Sequence, residues 1–280
     1  MTSEKKIEVG KLEWFYRQTE VENAERPTVL LLHGLPAHSY TWRGLMPLLA
    51  EAGLSSIAPD WIGSGFSSKP EKKDFPYTPE AFLNALSDLI SALELDNFYL
   101  VVQGFLGSVG LQYALKNPEK IAGLVVLNTP ITNDAKLPWL MKQLSLPFVG
   151  DMMTQDPLLV DRTLEKGSGF VVGDRDLDVL RKPFLQSSAV GRALMTTLQR
   201  LQLEKTTTAI EKNFTEWKKP TLILWGTADP WLNVEEVKKL ANSLENVDLI
   251  ELSEAKHYPQ EHWSSEIATE IQQFFRRKVF

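Results

Sequence analysis

Cysteine is absent from the chain. That excludes disulfides, a thiol nucleophile and cysteine-ligated zinc, although it selects no compartment. Histidine is scarce, four residues in all, and no His-x-x-x-His pair or carboxylate cluster stands at ligand spacing, so no metal centre is expected. Long apolar runs are lacking too: none approaches the roughly 20 residues that span a bilayer. The amino terminus, Met1-Thr2-Ser3-Glu4-Lys5-Lys6, is polar and mixed in charge, without the apolar stretch of a secretion signal. A soluble cytoplasmic protein is the expectation. A basic excess is also missing. The net charge of −6 is spread along the sequence with no cationic stripe, which argues against nucleic acid as a partner. Phosphate-binding loops are absent, and Gly63-Ser64-Gly65 lacks the rest of a dinucleotide fingerprint and reads as a turn. No cofactor is expected, and nothing in the sequence speaks to oligomeric state.

What is present is a core. Hydrophobic residues make up 43% of 280 positions, enough for a large α/β domain. Large residues alternate at Leu12, Trp14 and Tyr16, the period of an edge strand or hairpin arm. Thr28–Leu32 is continuously apolar after its first residue, as in a parallel strand covered on both faces. A helix is predicted over Thr41–Ala52, a strand over Leu54–Pro59, and a helix from Pro79, capped by Thr78, to Leu93. Strands follow at Phe98–Gln103 and Ile121–Asn128, with a helix between them. Such alternation implies a parallel sheet with right-handed crossovers. From Ile131 to Trp217 the alternation stops and short helical patterns replace it. Beyond it a strand at Pro220–Trp225, a helix at Val234–Leu244, a strand at Val247–Leu252 and a last helix at Glu266–Phe275 restore the rhythm. The reading is an α/β core of residues 1–130 and 218–280, a mostly parallel twisted sheet with helices on both faces, interrupted by a helical lid at 131–217.

The segment Leu100–Gly110 organises the rest. An apolar strand ends in Gly104 and a small-residue helix begins at once, the strand-turn-helix shape of a nucleophile elbow. Its tip normally carries Ser, Cys or Asp; here it is Gly104. Two other registers stay open. One places Phe105 at the tip, and one makes Ser108 the nucleophile at the expense of a helix cut to about two turns. In the bland reading Ser108 is a small residue that lets the helix pack on the sheet.

Three more features follow strand ends, where open α/β sheets place ligands. His33-Gly34-Leu35-Pro36 turns the Leu35 amide toward a cavity, where with the Phe105 amide it would form an oxyanion hole. A tight turn with a buried histidine explains the tetrapeptide equally well. Asp229 follows the strand ending at Trp225 and is placed to orient an imidazole, although a lone aspartate there is more often a turn former. His257 lies on a late loop from which a general base reaches the elbow; His262 is its solvated competitor. Trp61, Phe105, Trp139 and Trp231 are candidate walls of a substrate pocket, although each such aromatic is more often simply core.

Oxyanion turn, elbow, acid and histidine in this order resemble the α/β-hydrolase superfamily over essentially the whole chain, and most closely its haloalkane dehalogenase and epoxide hydrolase branch. The resemblance rests on His33-Gly34-x-Pro36, on the loop Asp60–Ser67, on Val101-Val102-Gln103 before the tip, and on the positions of Asp229 and His257. It implies that 131–217 is a cap domain, Asp229 the acid and His257 the base. The departures are equally specific. Where those relatives carry a nucleophilic Asp, this chain has Gly104. Phe105 replaces a halide-contacting position that is commonly Trp, Leu35 replaces an Asn that is frequent in dehalogenases, and the lid lacks the tyrosines with which epoxide hydrolases protonate the ring oxygen. Covalent hydrolysis through residue 104 is therefore excluded on this register. Glycine leaves room for a water beside the histidine. The expectation is a His-Asp dyad with a backbone oxyanion hole acting on a small apolar organic substrate without a covalent nucleophile. The alternatives are a pseudoenzyme that binds an apolar ligand or partner, and a serine hydrolase using Ser108.

Overall fold

The structure, a computed structural model, describes residues 1–156 and 158–278. Among these the strands are β1 (Thr2–Val9), β2 (Leu12–Thr19), β3 (Val29–Leu32), β4 (Ser56–Pro59), β5 (Phe98–Gln103), β6 (Ile121–Leu127), β7 (Thr221–Gly226) and β8 (Val247–Leu252). They form one eight-stranded sheet in the order β1-β2-β4-β3-β5-β6-β7-β8. Pairing from β4 through β8 is parallel, and β1 and β2 add an antiparallel edge. The central strands β3, β5 and β7 are buried at every position, which is why their sequences are apolar without alternation. β1 is the element that the amino-terminal sequence conceals. Its charged residues face water, and pairing with β2 from Thr2↔Thr19 to Val9↔Leu12 holds it. The hairpin turns at Gly10 with φ +61°, a conformation that glycine adopts without strain.

The helices are α1 (Leu45–Glu51), α2 (Pro79–Ala92), α3 (Gly104–Lys116), α4 (Trp139–Leu144), α5 (Val149–Met153), α6 (Leu159–Ser168), α7 (Asp174–Gln186), α8 (Ser188–Arg200), α9 (Leu203–Phe214), α10 (Val234–Asn242) and α11 (Ser264–Lys278). The helix expected over Thr41–Ala52 is divided into a 3-10 turn at Ser39–Trp42 and α1, with Gly44 between them where a Cβ would lie 2.5 Å from Ser264 Oγ. Two apolar cores sandwich the sheet. One includes Leu30, Val102, Phe105 and Val126 with α2 and α3; the other includes Leu31, Val101 and Val125 with α1 and α11. Helices α4 to α9 lie between β6 and β7, and a third cluster of Val160, Leu164, Leu177 and Leu180 joins α6 and α7 to Ala37 and Tyr258 of the sheet's carboxyl end. No helix among the described residues is long and apolar enough to cross a membrane.

Candidate active site

Gly104 is the first residue of α3 and follows β5 directly, with φ +71°. That is the strained tip of an elbow, occupied by the residue that relieves the strain. A Cβ built on Gly104 would lie 3.6 Å from His257 Nε2, so the tip faces the imidazole. Gly104, and not Ser108, is thus the residue of the strand-turn-helix set against His257 Nε2. Ser108 sits one turn into α3, wholly buried, its hydroxyl donating to the Phe105 carbonyl at 2.8 Å. The reading of Ser108 as nucleophile is therefore corrected: it is a back-bonded helix residue. Phe105 is likewise inside α3, its ring 5.3 Å from the His257 ring.

His257 is wholly buried, and its Nδ1 is 2.8 Å from Asp229 Oδ2. The aspartate is saturated. Oδ2 also accepts from Asn128 Nδ2 at 2.8 Å, and Oδ1 accepts from the Trp231 and Leu232 amides at 2.8 and 3.2 Å. Asn128 in turn pairs with both polar backbone atoms of Gly226, accepting from its N–H at 2.8 Å and donating to its carbonyl at 3.1 Å. An acceptor-only carboxylate facing Nδ1 fixes the proton on that nitrogen and leaves Nε2 with a free lone pair. His257 Nε2 is buried and has no hydrogen-bond partner. An orphaned buried ring nitrogen is costly and calls for an explanation.

The oxyanion turn is close against the tip. Gly34 Cα is 2.8 Å from the point where a Gly104 Cβ would stand, nearer than real Cβ contacts come. The side-chain-sized hole expected beside the histidine is thus partly filled by the Gly34 backbone, a correction to the sequence reading. The amides of Leu35 and Phe105 donate to no protein acceptor among the described residues. Phe105 N–H belongs to the first turn of α3, whose amides have no partner within the helix. The Leu35 carbonyl is tied down by Tyr258, whose hydroxyl donates at 2.7 Å. Burial pushes the Tyr258 phenol well above its usual range, so it stays a donor.

One side chain joins the two halves of the site. Gln103, wholly buried at the end of β5, accepts from Gly34 N–H at 3.1 Å and donates to the His257 carbonyl at 2.8 Å. Because an amide N–H only donates and a carbonyl only accepts, the orientation of its carboxamide is fixed. Neither Gln103 nor Asn128 was singled out by the sequence. Their signal was present: each is the polar residue that ends a buried apolar strand, at the edge where ligands collect.

His33 is structural. Its Nδ1 donates to the Gly34 carbonyl at 2.8 Å, its Nε2 accepts from Trp61 N–H at 3.1 Å, and burial lowers its pKa. Trp61 is 1% exposed; its indole donates to the His33 carbonyl at 2.9 Å and packs edge-on against Phe82. It supports the turn from behind. Trp231 is half-buried with its ring 4.6 Å from His257. Trp139, by contrast, is 73% exposed, so its assignment to a pocket wall is corrected: it stands on the outer side of α4 and faces solvent. His262 is exposed, its ring tilted by 40° against Phe170 at 4.4 Å. Beside the turn, Leu35, Pro36, Met141, Leu144, Thr163, Leu194 and Leu198 enclose a void of about 10 Å³, space for about one water.

Comparison with known proteins agrees with this layout. The profile of the alpha/beta hydrolase fold matches residues 27–262. A haloalkane dehalogenase of Mesorhizobium japonicum is 26% identical over 263 residues, 89% of this chain and 84% of its own length. An uncharacterized protein of Mycobacterium tuberculosis is 27% identical over 250 residues, 83% of this chain and 70% of its own. The crystal structure of the haloalkane dehalogenase DbeA of Bradyrhizobium elkani superposes with a TM-score of 0.87 at 25% identity, covering 99% of this chain and 98% of that one. The fold, the matched length and these neighbours together place the chain in the α/β-hydrolase family, near its haloalkane dehalogenase branch.

Proposed function

We propose that this chain is a hydrolase-like enzyme in which His257, oriented by Asp229, acts as general base and acid on a small, largely apolar organic substrate without a covalent intermediate. The observation that carries the reading is the buried, unpartnered Nε2 of His257, 3.6 Å from the Cβ direction of a glycine where a nucleophile would stand. In this scheme Nε2 takes a proton from a water as the water oxygen adds to an electrophilic carbon. Charge on the carbonyl oxygen is met by the Leu35 and Phe105 amides, and Asp229 stabilises the imidazolium. The same proton then passes from Nε2 to the leaving group. Asn128 and the Trp231 and Leu232 amides hold the acid in place. Helices α4 to α9 serve as a cap over residues 1–130 and 218–280, and they must move to admit a substrate larger than the present void.

The names of the relatives suggest haloalkanes, but displacement of halide in that branch proceeds through a carboxylate at the tip, which Gly104 does not provide. A second reading, a binding protein for an apolar ligand, is favoured by the approach of Gly34 into the space beside Gly104. A panel of esters, thioesters and enolisable carbonyl compounds assayed with wild type and His257→Ala separates the two. Turnover that vanishes with His257 supports the enzyme; turnover that survives unchanged overturns it. Saturable binding without turnover, indifferent to Asp229→Ala, establishes the second reading.

A further inference from the structure

We propose that Tyr258 is a positioning residue of the oxyanion turn and that the cap helix α6 holds it in place, so that seating of the cap and completion of the oxyanion hole are coupled. The inference rests on the reading of α4 to α9 as a cap over a His257 site. Three bonds hold the Gly34-Leu35 pair. Gln103 accepts from the Gly34 N–H at 3.1 Å, His33 Nδ1 donates to the Gly34 carbonyl at 2.8 Å, and the Tyr258 hydroxyl donates to the Leu35 carbonyl at 2.7 Å. Between the last two lies the Leu35 N–H, the donor left for an oxyanion. The first two partners belong to β5 and to the turn itself, whereas Tyr258 also meets α6.

The phenol ring lies where the cap, the dyad and the turn meet. It is 1% exposed and stands edge-on to His257 at 4.9 Å and to Trp231 at 5.7 Å. Gly167, in the last turn of α6, is set against the same ring: a Cβ there would collide with Tyr258 Cε2 and lie 2.7 Å from Trp231 Cη2. Glycine weakens a helix, and close approach of a second group is what it permits. The backbone repeats the contact. The Gly167 carbonyl is one of those at the end of α6 with no partner inside the helix, and it accepts from the Tyr258 N–H at 3.3 Å. Val160, Leu164, Leu177 and Leu180 of α6 and α7 share an apolar cluster with Tyr258.

One residue beside the imidazole thus bonds the cap through its N–H and the oxyanion turn through its hydroxyl. With α6 seated, the ring is confined by Gly167 and His257 and the hydroxyl stays on Leu35. When α6 lifts to admit a substrate, the ring loses its backing and the turn its third anchor. Closure restores the direction of the Leu35 amide before charge builds on the carbonyl oxygen, which is when a preset donor counts.

The test is amide hydrogen exchange of the full chain, followed residue by residue by NMR without ligand, in wild type, Tyr258→Phe, Gly167→Ala and the double variant. Tyr258→Phe keeps the ring and removes the hydroxyl. The Leu35 amide should then exchange about 5- to 10-fold faster, while Phe105, the other oxyanion amide, is unchanged. Gly167→Ala displaces the ring from the cap side and should speed Leu35 by about the same factor. The double variant should be no faster than either alone, because both act through one bond. Coupling is reciprocal, so Tyr258→Phe should also speed the Gly169 amide, which closes α6 on the Glu165 carbonyl; this arm decides where Gly167→Ala unfolds the cap. On any ester that wild type turns over, Tyr258→Phe should lower kcat about tenfold with KM unchanged. The coupling is overturned if Tyr258→Phe leaves the Leu35 amide, the Gly169 amide or kcat as in wild type. It is equally overturned if Gly167→Ala with α6 folded leaves Leu35 unchanged, or if the two effects multiply in the double variant. No substrate enters the exchange experiment, so its failure leaves the His257 reading standing, and an absence of turnover leaves the coupling standing.

Discussion

Replacing Gln103 by Glu and by Leu tests whether one carboxamide holds the oxyanion turn and the histidine loop in register. The Leu variant removes both bonds and leaves the buried Gly34 N–H and His257 carbonyl without their Gln103 partner. At about 1–3 kcal/mol for each buried unsatisfied group, the loss is roughly 2–6 kcal/mol. That lowers the melting temperature by about 5–15 °C at every pH. The Glu variant behaves differently because its charge depends on pH. Protonated, a carboxylic acid still accepts from Gly34 and donates to His257; ionised, it presents oxygen to a carbonyl and leaves a buried charge unpaired, costing about 3–5 kcal/mol. Burial raises the folded-state pKa of such a carboxyl above its unfolded value of about 4.3. Its contribution is therefore complete below that value and is lost as pH rises through the folded pKa. Melting curves at about pH 5 and about pH 8 should show Gln103→Glu close to wild type in acid and close to Gln103→Leu in base. The imidazole resonances of His257 should shift in step. A gap between Gln103→Glu and wild type that does not change with pH, or a Leu variant as stable as wild type, would refute the latch.

Gly104→Ala should destabilise by roughly 2–4 kcal/mol, combining left-handed strain with the 2.8 Å approach to Gly34 Cα; an unchanged urea midpoint would contradict the geometry. Gly104→Asp meets the same contact and also lacks side-chain support from Leu35, so halide release from bromobutane is expected to stay at background. Asp229→Asn points an NH2 at donors from Asn128 or the Trp231 and Leu232 amides and loses the fixed tautomer of His257; any activity that depends on His257 should fall by about 10⁴. Burial pushes His38 down to about 4, overriding the attraction of Asp60. The unfolded chain therefore binds the proton first, and stability falls as pH drops from about 6.5 to about 4, by roughly 3 kcal/mol from this residue. Urea midpoints across that window check it, and His38→Gln should flatten the slope by about one proton.

The sheet was legible because its central strands are buried on both faces, and Phe98–Gln103 has the bounds that its apolar run defines; the edge strand Val247–Leu252 also has the expected bounds, although Asp248 and Glu251 interrupt its apolar residues. β1 was not, because an exposed edge strand such as Thr2–Val9 is specified by its partner and its own composition is polar. Asp229 and His257 were singled out from their places after strands, and the fold sets them 2.8 Å apart. What their chemistry depends on was hidden, since Gln103 joins residues 69 and 154 positions away and Asn128 reaches Gly226 across 98. Periodicity reports which face a residue occupies, not which distant backbone its side chain meets. Trp139 shows the limit from the other side: its type suggested a wall, and only the packing of α4 reveals that the ring points outward.

The combination at the tip constrains what the site is for. Gly34 and Gly104 form a backbone contact in which neither tolerates a Cβ, since one on Gly34 would lie 2.7 Å from Gln103 Oε1 and 2.8 Å from Gly104 Cα. The turn, the latch and the tip are thus mutually adjusted around two glycines. Yet the dyad behind them is complete, with both oxygens of Asp229 occupied and His257 Nε2 buried without a hydrogen-bond partner among the described residues. Burying such a pair costs more than packing apolar residues of similar volume, and the orphaned nitrogen adds about 1–3 kcal/mol. A fold that had simply lost its chemistry would not need to sustain that cost. On the proposed function, the lone pair is kept for a proton that arrives with a ligand, and Gly104, without a side chain, makes no bond to it.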